Sequence, residues 1–301
     1  MNKMKNLLLF CLTLMTLACN QTPETYENID WQGHRGARGV YPENTWSAFQ
    51  YAIDQNMTTL EMDVVISKDG KVVVSHEPFL NHKICLDTAG NSIAEMEEKE
   101  WNIYKMTYEE LKKCDCGSIG NPDFPHQKQV SSPKPLLYNI IKNTIEYCEK
   151  EGKKLPYLNV EIKYEDGNQN QFHPEIAKFS DLTYTILDAN YPKEKWNIQS
   201  FDFDVLKYFH ITYPKVPLAA LVYESGAWEK QFEELGFTPE IYSPYHQLVD
   251  KKMVTELHEK GVKIIPWTVN EEKDAARLLK IGVDGIITDY PELADKFRNN
   301  P

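Results

Sequence analysis

The chain has 301 residues, of which 42% are hydrophobic and 26% charged, so it is long and apolar enough for one large globular domain or two ordinary ones. That balance excludes collagen-like, coiled-coil and wholly disordered chains. The 33 Lys and Arg residues are outnumbered by 45 Asp and Glu residues, and the formal net charge of −12 argues against nonspecific binding of nucleic acid. An acidic protein that handles phosphate groups would need a bound cation to reverse the local charge.

The first 18 residues have the features of an export signal. Lys3 and Lys5 precede an apolar run over residues 7–18. A helix of about twelve residues spans about 18 Å, less than the roughly 30 Å hydrocarbon core of a bilayer, so the run is too short to be a membrane span. We therefore predict a signal peptide over residues 1–18 and an exported bacterial protein.

The end of this signal suggests a lipid anchor. Ala18 followed by Cys19 resembles the lipobox of bacterial lipoproteins, in which the cysteine becomes the lipidated N-terminus, although Thr16 stands where that motif usually has Leu. Residues 19–30 are mostly polar and are predicted to be a tether. The expected location is thus periplasmic or membrane-anchored through Cys19; ordinary secretory cleavage, leaving Cys19 as an unpaired thiol, is the alternative.

Strand-like and helix-like patterns alternate from residue 31 to residue 298, which we predict to be one domain. The predicted strands are 31–34, 60–66, 72–75, 158–162, 196–200, 218–222, 241–243, 264–268 and 285–288. The predicted helices are 45–56, 136–151, 174–190, 204–213, 228–235, 251–260, 271–281 and 291–298. This alternation indicates right-handed βαβ units around a parallel sheet.

The second and third strand candidates are predicted to form a hairpin. Residues 67–71 between them are too few for a parallel crossover, and Asp69-Gly70 is a typical hairpin turn. A two-residue turn there would place Asp63 opposite His76. Eight parallel strands then remain, which predicts a (β/α)₈ TIM barrel with a β2 hairpin extension and reacting groups at the carboxyl ends of its strands.

Residues 82–133 interrupt the alternation with weak helical patterns and a run rich in Gly, Pro and Gln. This inserted segment is either a surface insertion or a cap over the barrel mouth, because it begins soon after His76, at the expected catalytic end. The two interpretations are compatible.

Four cysteines follow the predicted tether, namely Cys85, Cys114, Cys116 and Cys148. A disulfide is plausible in an exported protein. Cys114 and Cys116 are too close in sequence to favour each other, so we expect Cys85 to pair with one of them. Cys148 lies at helical spacing among apolar residues and is expected in the core. The competing interpretation is a CxC zinc half-site, although no second CxC or HxxxH accompanies it.

Three acidic residues occupy predicted strands that share one mouth. Glu61 and Asp63 are two apart in a strand and therefore point to the same face, and Glu161 lies near the end of another apolar strand. Carboxylates in apolar surroundings are costly to bury unless a positive group compensates them. Three carboxylates with water suit a hard cation, so the predicted cofactor is one divalent cation, Ca²⁺ or Mg²⁺.

Basic side chains lie at the same strand ends. His34 and Arg35 end the first strand, His76 follows the third, and Lys163 shares a face with Glu161. Two imidazoles can supply a general base and a general acid near neutral pH. Arginine and lysine suit the phosphate oxygens, the former as a fork and the latter as a point charge. Together with a cation, these groups can cleave a phosphodiester.

The same residues fall within an ordered series of motifs. They are His34–Gly36, Pro42–Thr45, Glu61–Val64, Ser75–Glu77, Glu161–Lys163, Pro266–Asn270 and Asp284–Pro291. In this order the series resembles the signature of the glycerophosphodiester phosphodiesterase family, over roughly residues 31–291.

The resemblance implies a metal-dependent hydrolase that releases sn-glycerol 3-phosphate and an alcohol from deacylated phospholipids, and so a small-molecule substrate. The net negative charge predicts no nucleic-acid partner. The resemblance also implies that His34 and His76 are the acid/base pair. The implied metal ligands are Glu61, Asp63 and Glu161. The implied phosphate contacts are Arg35 and Lys163.

Several neighbouring residues carry weaker expectations. Trp267 either packs against the glycerol carbons of the substrate or only fills the barrel rim. Glu77 stands where the family often has Asp, so an orienting role for that carboxylate is open. Asn44 or Thr45 is expected to cap the first helix, and Glu43 to lie near the metal.

Two other functions compete. One is a phospholipase-type phosphodiesterase acting on intact lipid or phosphoinositide, with the inserted segment as the source of a membrane-facing rim. The other is a non-catalytic lipoprotein that binds phospholipid head groups. Such a binding protein is expected to have lost at least one histidine or acid, and none is missing.

Overall fold

The structure is a computed structural model that describes Tyr26 and residues 28–298. The predicted signal peptide over residues 1–18 and Cys19, with most of the tether 19–30, lie outside the described residues. Within the part of the chain that is described, no helix is both long and apolar enough to cross a bilayer.

Strands and helices alternate along the chain, with bounds close to those predicted except at the strand predicted over 264–268, where the structure has only the two-residue strand Lys263–Ile264. The strands are β1 (Asp30–Gly33), β2 (Thr59–Ile66), β3 (Val72–Val74), β4 (Tyr157–Ile162), β5 (Trp196–Ser200), β6 (Leu218–Val222), β7 (Ile241–Pro244), β8 (Lys263–Ile264) and β9 (Gly285–Thr288). The helices are α1 (Trp46–Asp54), α2 (Tyr108–Leu111), α3 (Leu137–Glu151), α4 (Ile176–Asn190), α5 (Phe203–Thr212), α6 (Trp228–Leu235), α7 (Lys251–Glu259), α8 (Glu272–Ile281) and α9 (Glu292–Arg298).

The parallel strands form a nearly closed barrel in the spatial order β8-β7-β6-β5-β4-β2-β1-β9. Between β9 and the chain around β8, the amide of Asp284 donates to the carbonyl of Ile264 at 2.9 Å, and that of Ile287 to Pro266 at 3.0 Å. These bonds bring the two ends of the sheet together. The predicted (β/α)₈ barrel is therefore confirmed, and the carboxyl ends of its strands share one mouth.

The hairpin of β2 and β3 exists, but its predicted register is wrong. β3 pairs antiparallel with β2, and the amide of Ser75 donates to the carbonyl of Asp63 at 3.0 Å. Asp63 therefore lies opposite Ser75 and not opposite His76. Because His76 follows the end of β3, its direction is set by the loop and not by the ladder.

The turn explains the shift in register. It holds three residues between Ser67 and Lys71, whose backbones pair at 2.9 Å, and Gly70 adopts a left-handed conformation with φ of +73°. This is the pattern of a three-residue hairpin, in which a residue in the left-handed region follows a type I turn. Asp69-Gly70 fits both a two-residue and a three-residue turn, so the sequence does not distinguish them.

Alternation along β2 assigns its side chains to two environments. Leu60, Met62 and Val64 join the apolar core between the sheet and the helices. Glu61 and Asp63, of opposite parity, point into the barrel. The strand is buried on both faces, so its carboxylates are held away from bulk water.

The inserted segment has an apolar core of its own. Its buried members are Val65, Val73, Leu80, Ile84, Cys85, Ile93, Ile103, Leu111, Cys114 and Cys116. The first two belong to the β2–β3 hairpin, so the segment is built onto that hairpin.

A disulfide between Cys85 and Cys116 crosses this small core. It confirms the expectation that Cys85 pairs with either Cys114 or Cys116. Closing a loop of 31 residues stabilises the fold by about 3–4 kcal/mol in the chain-entropy account. Cys114 and Cys148 are free and buried. The group of possible metal-binding side chains found among the described residues contains no cysteine, so the zinc half-site gains no support.

The inserted segment also supports the rim of the barrel. The guanidinium of Arg38 lies over the ring of Phe124 at 4.8 Å, and the side-chain amide of Gln127 donates to the carbonyl of Arg38 at 2.6 Å. Among the described residues that line the central cavity of the mouth, none comes from residues 82–133. The segment therefore supports Arg38 from outside the cavity.

Candidate active site

Three carboxylates converge at the mouth because two neighbouring strands carry them. β2 supplies Glu61 and Asp63, β4 supplies Glu161, and the parallel register places Asp63 beside Glu161. One oxygen from each carboxylate lies within 4.8 Å of the others, and all three residues are buried. Their predicted convergence is thus observed.

The electrostatics of this triad call for a positive charge. Burial, and then the charge of Asp63, hold the pKa of Glu61 well above its usual range. Burial also raises the pKa of Glu161, although Lys163 opposes it. For Asp63 burial is the largest single effect, but Arg35, His76, Lys163 and Asn44 together outweigh it, so its pKa lies below the usual range. A further cation between the three oxygens would favour ionisation of all of them.

The triad fits a hard divalent cation. Its ligand atoms are carboxylate oxygens, which Mg²⁺ and Ca²⁺ prefer. Oδ1 of Asp63 is buried and has no hydrogen-bond partner, so one oxygen is available inside the cluster. Burying such an atom without a partner is costly unless a ligand satisfies it. Glu61, Asp63 and Glu161 are therefore the residues that would hold the ion.

Buried amides fix the acidic side chains from outside the triad. Asn44 donates from Nδ2 to Oδ2 of Asp63, and Gln199 from Nε2 to Oε1 of Glu61, each at 2.8 Å. Gln199 also accepts from Asn159, which donates to Gln32 as well. A layer of buried amides thus orients Asp63 and Glu61.

Arg35 crosses from β1 to the same cluster. Its amide donates to Oε2 of Glu61 at 2.8 Å, and its guanidinium lies 2.9 Å from Glu43 and 3.4 Å from Asp63. Burial acts to lower the pKa of this guanidinium, but the charges of Glu43 and Asp63 act to raise it, and the net pKa lies above its usual value. Arg35 also lines the cavity, so it is placed to meet an anionic ligand. Glu43 reaches the cluster through Arg35.

His34 is held by a network from the opposite side of the mouth. Its Nδ1 lies 2.7 Å from Oδ1 of Asp289, a buried residue after β9. Asp289 also accepts from Arg38 at 2.9 and 3.1 Å and from Asn270 at 2.7 Å. Since the carboxylate can only accept, Nδ1 carries the proton and Nε2, 4.0 Å from Glu61, faces the triad.

The charge states of this pair follow from its surroundings. Burial lowers the pKa of His34 to about 4, although Asp289 opposes the shift, so the imidazole is neutral at pH 7. Burial opposes ionisation of Asp289, but His34 and Arg38 hold its pKa well below the usual range. A neutral imidazole with a free Nε2 is the form that accepts a proton.

His76 lies on the other side of the triad. Its Nδ1 is 2.9 Å from Oε1 of Glu77, and its Nε2 is 3.1 Å from Nζ of Lys163, which also donates to Glu161 at 2.7 Å. Burial acts to raise the pKa of Glu77, but the bond and charge of His76, together with the charges of Arg35 and Lys134, hold it below its usual range. Glu77 therefore orients His76 although it replaces the aspartate common in the family pattern.

A cavity of about 140 Å³ joins these groups. Its walls include both imidazoles, Arg35 and Glu161, together with Trp267, whose indole nitrogen donates to the carbonyl of Ser243 at 2.8 Å. Trp267 thus both packs in the rim and presents its ring to the cavity. A larger cavity of about 650 Å³ lies at the amino end of the strands, away from this cluster.

The structure brings every predicted site residue to this mouth, and it adds residues that the sequence analysis missed. The additions are Arg38, Asn44, Gln199, Asn270 and Asp289. Asp289 and Asn270 fall inside noted motifs at strand ends, which is the signal that could have found them. Thr45, and not Asn44, caps α1, because its hydroxyl accepts from the amide of Ala48.

A nearly closed barrel with buried carboxylates and two imidazoles at its carboxyl mouth is the architecture of a barrel enzyme, whose reacting groups lie at the carboxyl ends of the strands. The chain matches the sequence model of the "Glycerophosphoryl diester phosphodiesterase family" over residues 34–293. It therefore belongs to this family and is an enzyme of that class.

Individual relatives agree with this assignment. A glycerophosphodiester phosphodiesterase of Caldanaerobacter subterraneus subsp. tengcongensis is 30% identical over 259 residues, which cover 86% of this chain and 93% of the relative. One from Bacillus altitudinis is 28% identical, covering 88% and 96%. A Silicibacter pomeroyi structure assigned to the family superimposes with a TM-score of 0.80 at 26% identity, covering 92% and 95%.

A structure of a phosphodiesterase from Oleispira antarctica in complex with sn-glycerol-3-phosphate shares the fold, with a TM-score of 0.71 at 23% identity. The superposition covers 90% of this chain and 97% of the other.

Proposed function

We propose that the protein hydrolyses glycerophosphodiesters to sn-glycerol 3-phosphate and an alcohol, with one divalent cation, Ca²⁺ or Mg²⁺, and two histidines. The observation that carries the proposal is the buried triad of Glu61, Asp63 and Glu161, which lies in one cavity with His34 and His76. The activity named for the relatives and the sn-glycerol-3-phosphate bound by the Oleispira protein support the substrate class.

The chain supplies complementary charges for a phosphodiester. A cation held by the triad would neutralise phosphoryl oxygens and the charge that develops on them. Arg35 and Lys163 border the triad with guanidinium and ammonium groups suited to the remaining oxygens. Trp267 offers its ring to the glycerol carbons.

The two histidines are placed to exchange protons in sequence. We infer that His34 acts first as the base, because its pKa of about 4 keeps it neutral and its Nε2 faces the triad. Nε2 takes the proton of the glycerol 2-hydroxyl, whose oxygen attacks phosphorus. The bond between phosphorus and the alcohol oxygen breaks, and that oxygen takes a proton from Nε2 of His76. This step requires His76 to enter doubly protonated, with Nε2 turned to the leaving group and away from Nζ of Lys163.

The resulting cyclic phosphate is then opened by water with the roles reversed. Nε2 of His76 takes a proton from water, the water oxygen attacks phosphorus, and the released 2-oxygen recovers a proton from His34. Both steps return the histidines to their starting forms. A slow His76→Ala variant should accumulate the cyclic phosphate; inversion at phosphorus in oxygen-18 labelling, without that species, would instead show direct attack by water.

The central experiment measures sn-glycerol 3-phosphate released from glycerophosphocholine before and after chelation. We expect activity to vanish on chelation and to return with Ca²⁺ or Mg²⁺, whereas Asp63→Asn should not recover. Activity unchanged by chelation would contradict the metal role. With cation restored, cleavage confined to intact lipids would favour a phospholipase-type enzyme, and no cleavage of any head group would favour a binding protein.

We also infer export and lipidation at Cys19. The charged start, the short apolar run and the Ala18-Cys19 junction support this inference, as does the Cys85–Cys116 disulfide, since disulfides persist mainly in oxidising compartments. In bacteria fed labelled palmitate, the full chain should take up label and Cys19→Ala should not. An exported but unlabelled wild-type chain would contradict lipidation and favour ordinary secretory cleavage.

A further inference from the structure

Aromatic side chains surround one side of the mouth. They follow four consecutive strands of the barrel and are Phe201 after β5, Tyr223 after β6, Tyr245 after β7 and Trp267 after β8. Phe201 packs edge-on against Trp267 with ring centroids 5.3 Å apart, and Tyr223 lies 6.0 Å from Trp267. We call these four residues the aromatic rim.

Two side chains of the aromatic rim are exposed to water. The exposed fraction is 41% for Phe201 and 63% for Tyr223, although each ring also contacts another ring of the rim. Contiguous apolar surface that stays in contact with water marks a binding site more often than scattered single residues do. This surface is continuous with the catalytic cavity, because Phe201 and Trp267 line both.

A second groove continues outward from the rim. It has a volume of about 520 Å³ and shares Phe201 and Leu221 with the catalytic cavity. Its described lining contains the carboxylates of Asp202, Asp204, Glu224 and Glu234, and no lysine or arginine. Lys207 pairs with Asp204 at 2.8 Å, which leaves the groove with an excess of negative charge.

The volumes of the catalytic cavity and the acidic groove suggest that each holds one half of a diester. The catalytic cavity, at about 140 Å³, is well below the roughly 300–1,000 Å³ of a pocket that encloses a whole ligand. It can therefore hold the phosphate and one small half of the substrate, and the other half extends beyond it. The acidic groove adjoins the cavity at Phe201 and Leu221, and the aromatic rim adjoins it at Phe201 and Trp267.

We propose that the outer rings of the aromatic rim, Phe201, Tyr223 and Tyr245, and the acidic groove form a subsite for the alcohol half of the diester and select alcohols that carry a quaternary ammonium group, of the choline class. Trp267 lies at the boundary between this subsite and the glycerol half. The proposal rests on the proposed function. Aromatic faces attract such a cation and need no hydrogen bond from it, and nearby carboxylates add long-range attraction. The same carboxylates repel alcohols that carry a second anionic group, which adds discrimination.

The test compares two esters that differ only in charge. One is glycerophosphocholine; the other carries 3,3-dimethylbutanol, in which carbon replaces the nitrogen of choline. With the full chain and Ca²⁺ or Mg²⁺, we expect kcat/KM to favour the choline ester by about tenfold, mainly through KM. Tyr223→Leu and Glu224→Gln should each reduce this ratio several-fold, whereas Tyr223→Phe, which keeps the aromatic face, should preserve it.

A surface tyrosine provides the matched control. Tyr138→Leu removes an exposed ring from α3 and should leave both the ratio and the activity unchanged. Equal kcat/KM for the two esters, or a ratio that survives both Tyr223→Leu and Glu224→Gln, would overturn the subsite. A preference for lysophospholipids that ignores head-group charge would also overturn it, by assigning the rim to an acyl chain. Failure to cleave either ester would instead contradict the proposed function.

Discussion

The two histidines of the mouth are supported in different ways. His34 is bonded to Asp289, which lies 255 positions away in the chain and is fully buried beneath Arg38 and Asn270. His76 is bonded to the adjacent residue, Glu77, and both side chains are more exposed, at 31% and 22% against 12% and 0%. The Nδ1 partner of His34 is thus supplied by closure of the barrel, and that of His76 by its own loop, while Lys163 contacts Nε2 of His76 at 3.1 Å.

The contrast bears on how each imidazole can act. Because β1 and β9 meet only when the barrel closes, the orientation and tautomer of His34 depend on the whole fold. His76 lies in a loop after β3, near solvent, and its partner can move with it. We therefore expect His34 to be the rigid base and His76 to exchange protons with water more readily.

The largest expected effect is the loss of either imidazole. His34→Gln and His76→Gln should each lower kcat by roughly 10²–10⁴-fold, since each removes a proton-transfer group. Cation binding followed by calorimetry should change little, because the triad is intact. Activity within tenfold of wild type in either variant would remove that histidine from the acid/base pair.

Asp289→Asn tests the rigid support directly. We expect kcat to fall about 100-fold, because an amide can stabilise the wrong tautomer of His34. The matched control is Asp284→Asn, since Asp284 lies just before the same strand, binds His258 at 2.8 Å and is far from the mouth. The control should retain activity within about twofold. Equal losses in the two variants would show that damage to β9, and not orientation of His34, is responsible.

The burial of His34 predicts a pH-dependent stability. Its pKa is about 4 in the folded protein and about 6.5 when unfolded, so between these values the unfolded chain binds more protons. The neutral imidazole therefore contributes fully above pH 6.5, and this contribution, at most about 3 kcal/mol, is lost as the pH falls toward 4.

Urea unfolding at pH 7.5, 5.5 and 4.5 measures this contribution. Wild type should lose more free energy of unfolding with acid than His34→Gln does. His126→Gln, which removes an exposed histidine, should behave like wild type. Parallel pH dependences for wild type and His34→Gln would place the imidazole in a less buried setting.

Sequence patterns were sufficient for the architecture and for the residues that fall on strands. Period-two spacing put Glu61 and Asp63 on one face, and the short Asp69-Gly70 connection identified the hairpin. The register was missed because this dipeptide fits turns of two lengths. Asp289 received no role, since its nearness to His34 arises only when β9 closes against β1.

The amides beneath the triad were also beyond sequence reasoning. From the sequence, Asn44 is a candidate helix cap and Gln199 is an ordinary strand residue. In the folded barrel they contact Asp63 and Glu61, respectively. A side chain's partner across a barrel depends on strand order and stagger, which a single sequence does not encode in local patterns.

Gln199 bonds to Glu61 of the triad and to Asn159, and not to either histidine. Gln199→Leu should weaken cation affinity roughly tenfold. The variant removes the hydrogen bond by which Nε2 of Gln199 orients Oε1 of Glu61. Calorimetric titration with Ca²⁺ or Mg²⁺ measures this, and the exposed Gln171→Leu serves as control. Unchanged affinity would mean that the backbone bond from Arg35 suffices to hold Glu61.

The smallest expected effect is that of Glu77→Gln. The amide keeps an acceptor near Nδ1 of His76 but also brings a donor, as at Asp289→Asn. Because the side chains of His76 and Glu77 are 31% and 22% exposed, water can replace the lost contact, so kcat should fall less than about fivefold. Measured beside Asp289→Asn, this variant tests the contrast itself. If Glu77→Gln lowers kcat as much as Asp289→Asn does, the loop after β3 fixes His76 as strictly as the closed barrel fixes His34. The two histidines would then be supported to the same degree.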